Sequence, residues 1–248
     1  MNVMASLAEE LSTTRLDASR VLEMIALQDV VCRQLSSVEL YFPLTDLEMH
    51  ELVSPDGLCV GVEYDERLVA FFGILFMGDR PDNVGEEMGI PSAELPLVAY
   101  FKATNVLPEF RGQGLQKRMT QWLFSEMGLD AQQSESDQCM ESVRPSRPGA
   151  SRSKWLSSTV SPINLPSLKS FLDSGFWIAG LKPKYLGYMR FLMVRQRATQ
   201  WYALDHSISV PVGDYAQQIS LLDRGWSGVK FDSLTANPHI LYIRSEGQ

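Results

Sequence analysis

Apolar residues in this 248-residue chain fall alternately into short dense runs and into helical stripes. Glu10 to Leu16 is a weak first strand. Asp17 or Ser19 can cap a following helix whose apolar positions Val21, Leu22, Ile25, Val30 and Leu35 keep roughly helical spacing. A second, short helix is expected from Thr45 to Val53, ended by the turn Pro55-Asp56-Gly57. Leu58–Tyr64 and Leu68–Met77 are apolar runs joined by Asp65-Glu66-Arg67, which predicts a hairpin with its second strand buried on both faces. Asp79 to Glu94, rich in Pro, Gly and acids, reads as a loop with a turn of helix, and Leu95 to Leu107 as the next strand. Leu115, Met119, Trp122, Leu123 and Met127 form one face of an amphipathic helix, with Gly128 as its stop.

Asp130 to Lys154 breaks the pattern. It is Ser- and Gln-rich, holds Pro145 and Pro148, and carries almost no large apolar residue, so it cannot bury enough area to offset its ordering cost. Patterned sequence resumes with a strand at Trp155–Val160 and a helix at Asn164–Ser174, stopped by Gly175. Strands at Phe176–Ile178 and Tyr188–Val194 follow. Beyond Arg195 come strands at Ser207–Val212, Trp226–Phe231 and His239–Ile243, with a helix at Asp214–Leu222. Phe171-Leu-Asp-Ser-Gly-Phe176 and Leu221-Leu-Asp-Arg-Gly-Trp226 are alike as helix-to-strand junctions; an internal repeat or a shared glycine stop accounts for this equally well.

The segment Asn105-Val-Leu-Pro-Glu-Phe-Arg-Gly-Gln-Gly-Leu-Gln116 carries the most chemical information. Val106 and Leu107 close an apolar strand, and Pro108, which has no N–H to donate, ends it. Gly112 and Gly114 allow a tight turn and leave its N–H groups uncovered. The helix that follows opens with unpaired N–H groups and partial positive charge, an arrangement suited to phosphate. Neither Gly-x-x-x-x-Gly-Lys-Ser/Thr nor a completed Gly-x-Gly-x-x-Gly is present, which argues against a Walker loop and a dinucleotide fingerprint.

Composition narrows the function classes. Hydrophobic residues at 45% and charged residues at 21% are ordinary for a globular protein. A net charge of −8 argues against nucleic-acid partners, which need a basic face. The three cysteines, Cys32, Cys59 and Cys139, are widely spaced, and with His50, His206 and His239 they suggest no metal cluster. Met1 to Arg20 lacks the cationic and apolar regions of a secretory signal, and the longest apolar run is about half a membrane span. The expectation is a cytoplasmic protein with no membrane partner.

The order Val-x-Pro-x-x-Arg-Gly-x-Gly-Leu resembles the acetyl-CoA-binding motif of the GNAT superfamily of N-acetyltransferases. A second block supports the resemblance: Thr159-Val-Ser-Pro-Ile-Asn164, then Ser167, Leu168, Phe171 and Gly175-Phe176, in the family's order and with compatible spacing. The resemblance spans roughly Ser19 to Arg195. It implies an α/β fold with a mixed, mostly antiparallel central sheet and flanking helices. Residues 1–195 would form the acetyltransferase domain, with 130–154 as a flexible insertion, and 196–248 would be a C-terminal α/β extension packed on it.

The resemblance also implies roles. Backbone groups of Thr104, Asn105, Val106 and Leu107 would pair with the pantetheine amides of acetyl-CoA, as an added strand would. N–H groups of Gly112, Gln113, Gly114, Leu115, Gln116 and Lys117 would hold the pyrophosphate, with Arg111 adding charge. Gln116 stands where the family places a small residue. Asn164 would hydrogen-bond the pantetheine arm, although Asn is also a good helix cap. Arg144, Arg147 and Arg152 form the basic run nearest these motifs and are candidates for the 3′-phosphate.

Two departures concern catalysis. Many members place a proton-donating tyrosine seven residues after the asparagine and some a glutamate base five before it; here these are Phe171 and Thr159. The implied reaction is direct acetyl transfer to a primary amine of a small molecule or peptide, with no metal. Tyr185 is the candidate for proton transfer, with Tyr188, Glu94 and Glu63 behind it. Phe171 and Thr159 also keep open a second class, a CoA-binding module with little catalysis. The tail could shape the acceptor site or a homodimer interface.

Overall fold

The computed structural model describes residues 11–129, 153–197, 206–232 and 237–244. Apart from Ser153 and Lys154, the segment Asp130–Lys154 with its three arginines lies outside the described residues. Two compact units are formed, one from Met1–Val38, Pro43–Phe76 and Ala99–Ser153, the other from Glu39–Phe42, Met77–Val98 and Lys154–Gln248.

In the first unit, β1 (Leu11–Arg15), β2 (Gly57–Tyr64), β3 (Arg67–Phe76) and β4 (Val98–Val106) lie side by side in that order, each antiparallel to the next. Only two residues, Asp65 and Glu66, turn β2 into β3, with φ of 51° and 61°. Both central residues are left-handed, as a twist-matched two-residue hairpin requires. Arg67 belongs to β3 and pairs with Tyr64, although the sequence suggested that it was part of the loop.

β3 is buried on both faces, as its continuous apolar run predicted. Phe72 meets Phe101 edge-on at 5.4 Å, and Phe101 meets Phe124 of α3 (Leu115–Glu126) at 6.1 Å. The next residue, Gly73, faces α2 (Asp46–Leu52); a Cβ there would lie 2.5 Å from Leu52 Cδ1. Neighbouring strand residues point to opposite faces, so α3 and α2 cover opposite sides of the sheet. α1 (Val21–Arg33) buries Met24, Leu27 and Val31 and packs on β3 and α2. It ends before Leu35 and is entered through a 3-10 turn that the Asp17 side chain caps at Ser19 N–H. α2 opens with a reciprocal capping box between Thr45 and Glu48.

β4 starts at Val98, later than expected, because Ser92–Leu97 forms a 3-10 turn containing Pro96. Opposite Gly73 and Ile74, β4 carries one extra residue, Lys102, and this bulge bends the strand. Lys102 Nζ pairs with Glu48 at 2.8 Å.

The second unit contains β5 (Trp155–Val160), α4 (Leu165–Asp173), β6 (Trp177–Lys184), β7 (Tyr188–Gln196), β8 (Ser207–Pro211), α5 (Tyr215–Asp223), β9 (Trp226–Asp232) and β10 (His239–Arg244). Strand order is β5-β7-β6-β9-β10-β8, and the β7–β5, β7–β6, β6–β9, β9–β10 and β10–β8 pairs are all antiparallel. β6 runs further than the sequence suggested. Lys182, Pro183 and Lys184 continue it opposite Arg190, Met189 and Tyr188, which puts Tyr185 at the hairpin tip.

Candidate functional site

The turn after β4 is built for exposed backbone donors. Pro108–Phe110 forms a 3-10 turn pinned by the buried Phe110 ring. Gly112 and Gly114 then adopt φ of 78° and 73°. A Cβ at either position would meet nothing within 4 Å, so glycine is needed there for its left-handed backbone and not for space.

Gly114 is also the N-cap of α3, and no side chain accepts from the first turn. The first helical bond runs from Arg118 N–H to Gly114 O, so the N–H groups of Leu115, Gln116 and Lys117 have no intrahelical acceptor. The first turn contains no acid, and the helix dipole leaves this end positive.

Several residues around this turn have burial or hydrogen-bond partners of their own. Leu115 is buried as an apolar anchor, whereas Lys117 is exposed. The Gln116 carbonyl accepts from the Thr120 hydroxyl at 2.9 Å, and Gln113 reaches back to Glu109 O at 3.5 Å. Arg111 is exposed and donates to Val106 O at 3.4 Å. Arg118 ties α3 to β1 through Thr13 Oγ1 at 2.7 Å and Leu11 O at 2.8 Å. Of the strand residues singled out from sequence, Asn105 and Leu107 are buried, while Thr104 and Val106 are half-buried.

In the second unit Asn164 caps α4: its Oδ1 accepts from Ser167 N–H at 3.2 Å, and its Nδ2 donates to Leu40 O at 3.4 Å. The Thr159 hydroxyl lies 3.0 Å from Tyr185 Oη. Tyr185, Leu186 and Gly187 all have positive φ, 36°, 63° and 91°. A bulky aromatic residue with that backbone is a strained exception and needs surroundings that hold it. Phe42 stacks on the Tyr185 ring with centroids 4.9 Å apart and planes 13° apart. The Arg190 guanidinium lies 5.6 Å from the ring centroid, on a residue only 3% exposed.

Sequence reasoning identified Tyr185 and Thr159 separately and did not find Phe42 or the stacking role of Arg190. Phe42 sits in a mixed stretch far away in the chain, so only tertiary contact reveals its role.

Of the other candidates for proton transfer, Glu63 and Glu94 are engaged elsewhere, and Phe171, where the family places its tyrosine, is part of the core. Phe171 is buried edge-on against Phe176 at 4.9 Å. Glu63 is paired with Arg20. Glu94 bonds Lys154 Nζ and Trp155 Nε1, and the Lys154 contact first, then the indole, hold its carboxyl below the usual range. Tyr188 opens β7. Among the described residues no group of three or more His, Cys, Asp or Glu is placed to hold a metal, and no helix is long and apolar enough to cross a membrane.

No protein-family profile matches the sequence, and no curated protein matches it. Solved structures do match the fold. An acetyltransferase of the GNAT family from Streptococcus pneumoniae aligns with a TM-score of 0.52 at 13% identity, covering 75% of this chain and 99% of that one. This is the GNAT fold.

The ribosomal-protein-S18-alanine N-acetyltransferase from Escherichia coli aligns with a TM-score of 0.50 at 12% identity, over 79% of this chain and 99% of its own. Arabidopsis thaliana NAA60, solved in complex with acetyl-CoA, aligns with the same score and identity over 75% and 98%. The mixed α/β architecture with mostly antiparallel strands and flanking helices, expected from the sequence, is the architecture of these GNAT structures.

Proposed function

We propose that this chain is an acetyl-CoA-dependent N-acetyltransferase that moves an acetyl group directly to a primary amine of a small molecule or peptide in the cytoplasm. The observation that carries this reading is the Gly112–Lys117 turn. Two left-handed glycines feed a helix start whose N–H groups no side chain caps. Such a site suits a pyrophosphate in both hydrogen bonding and charge. In this reading acetyl-CoA supplies an activated thioester carbonyl. The β4 backbone at Thr104, Asn105 and Val106 aligns the pantetheine arm, whereas Leu107, just past the strand, is committed through its N–H to Val69 O and through its carbonyl to Phe110 N–H. Arg111 adds positive charge beside the phosphates, and the Asn164 amide holds an oxygen of the arm.

Tyr185 moves the proton. An amine must be neutral to attack, and the departing sulfur gains from a nearby O–H. The Thr159 hydroxyl, within hydrogen-bond distance of Tyr185 Oη, gives that group a defined orientation. The likeness to GNAT acetyltransferases supports the reaction class, and the acidic chain favours approach of a cationic amine.

Isothermal titration with CoA and acetyl-CoA, followed by thiol release across an amine panel, tests the reading. Saturable binding and turnover with at least one amine are expected. A second reading, a CoA-binding module with little catalysis, is favoured by the burial of Phe171 where a proton donor would otherwise stand. It predicts the same binding with no thiol release.

A further inference from the structure

The junction likeness noted in the sequence extends through a whole supersecondary unit. β5-α4-β6-β7 and β8-α5-β9-β10 have the same element order, and their strands assemble as β5-β7-β6 and, in mirror sequence, β9-β10-β8. Both helices are nine residues long. Each is capped by a side chain accepting from the N–H three residues on, Asn164 from Ser167 and Asp214 from Gln217. Cap φ and ψ are −90° and 69° in one, −85° and 74° in the other. Gly175 and Gly225 end the helices, each with φ of 80°.

Strand register repeats as well. Val160 pairs with Phe191 as Val210 pairs with Ile240. Ile178 pairs with Met193 as Gly228 pairs with Tyr242. Each copy then skips one residue, Ala179 or Val229, before pairing resumes at Gly180–Leu192 or Lys230–Leu241. A glycine stop explains one junction, but it does not place a bulge at the same residue of two hairpins.

Val160, Ser170, Leu172, Asp173 and Gly175 recur as Val210, Ser220, Leu222, Asp223 and Gly225. Where the copies differ, they differ in matched sets. Buried Leu168 and Met193 of the first copy become buried Gln218 and Tyr242 in the second, joined by a 2.6 Å hydrogen bond.

The copies meet at their equivalent positions. The residue pair that joins β6 to β9 is Ile178 with Gly228, which occupy the same place in the two units. Antiparallel pairing of like with like is what a twofold axis through the sheet produces. The helices obey the same symmetry, α4 packing on β9 and α5 on β6. At the axis the pair is unequal: a Cβ on Gly228 would lie 2.9 Å from Ile178 Cδ1 across the seam and 2.9 Å from Ile240 Cγ2 within its own copy. The second copy has given up its side chain where the first keeps a large one, which is complementarity between unlike partners.

We infer that Ser207–Arg244 is a second copy of the Trp155–Gln196 unit that acts as a built-in partner, covering the β6 edge as a second subunit would in a homodimer. The chain is therefore a monomer with a pseudo-dimer seam. The outer strand of the second copy, β8, is short and ends on Pro211, features that discourage further edge pairing.

Sedimentation of the full chain across a wide concentration range, combined with hydrogen exchange of Trp177–Lys184, tests this. The wild type should sediment as one 27.9 kDa chain at every concentration. Gly228→Val should force β9 from Ile178, speed β6 exchange and produce concentration-dependent self-association. A wild-type dimer would overturn the proposal, as would a Gly228→Val protein with fast β6 exchange that stays monomeric. If valine prevents folding, Gly228→Ala gives the same two readouts, and unchanged β6 exchange in it would count against the seam.

Discussion

Replacing Gly114 with alanine separates the cost of the turn to the fold from its cost to the ligand. A non-glycine residue in the left-handed region costs about 1–2 kcal/mol. Gly114 has φ of 73°, and an added Cβ meets nothing within 4 Å, so no clash adds to that figure. In a chain of this size each kcal/mol corresponds to roughly 2–4 °C in Tm, giving an expected fall of about 2–8 °C.

The ligand should suffer more. The methyl and the relaxing backbone disturb N–H groups that would contact a pyrophosphate, and a hydrogen bond to a charged group is worth about 1.5–3 kcal/mol. Loss of one such bond predicts a rise in CoA Kd of about tenfold to a hundredfold. Titration of the folded variant with CoA and with S-acetylpantetheine, which has no pyrophosphate, provides the assay. CoA binding should weaken while S-acetylpantetheine binding stays within about twofold of wild type, the ordinary scatter for a distant change. Equal losses for the two ligands, or an unchanged CoA Kd beside a lowered Tm, would refute the cradle.

Other predictions address the remaining groups. Tyr185→Phe keeps the stack on Phe42 and removes the hydroxyl beside Thr159; turnover should fall by about 10²- to 10⁴-fold with CoA affinity unchanged, and undiminished turnover would clear Tyr185 of proton transfer. Asn164→Asp retains the helix cap while Asn164→Ala loses about 1 kcal/mol of stability; both should weaken CoA if the amide holds the pantetheine arm, and weakening by alanine alone would reduce Asn164 to a cap. For Glu48, burial pushes the carboxyl up, but hydrogen bonds from Lys102 and Thr45 outweigh it and leave it below its ordinary 4.5. Its stabilisation is thus full above that value and lost as pH falls through the lowered folded one. Glu48→Gln should be less stable than wild type by about 1 kcal/mol at pH 7 and converge with it in acid, as read from urea midpoints; a gap that persists at low pH would contradict this.

Local rules explain what was legible in the sequence. The short helix after Thr45, the apolar run of β3 and the glycine stops at Gly128 and Gly175 all depend on residues close together in the chain, and these elements appeared where expected. The errors came where pairing overrode composition. Leu95–Leu97 are apolar, but Pro96 can donate no ladder bond and they curl into a 3-10 turn. Lys182-Pro183-Lys184 look unlike a strand, but β7 holds them in register.

The phosphate turn was readable because glycine, proline and arginine each have a local reason to be there. The surroundings of Tyr185 were not, since Phe42 comes from far upstream, and Thr159 and Arg190 approach from neighbouring strands. From the sequence the duplication was noticed only at the glycine junction, because the few further identities, such as Val160 and Val210, gain meaning only once cap angles and bulge positions align the two copies.

The most direct measurement of the central claim is a calorimetric titration of the folded chain with acetyl-CoA. A saturable exotherm with one site per chain, abolished by competing CoA, is predicted; a folded protein that binds neither acetyl-CoA nor CoA would contradict the account.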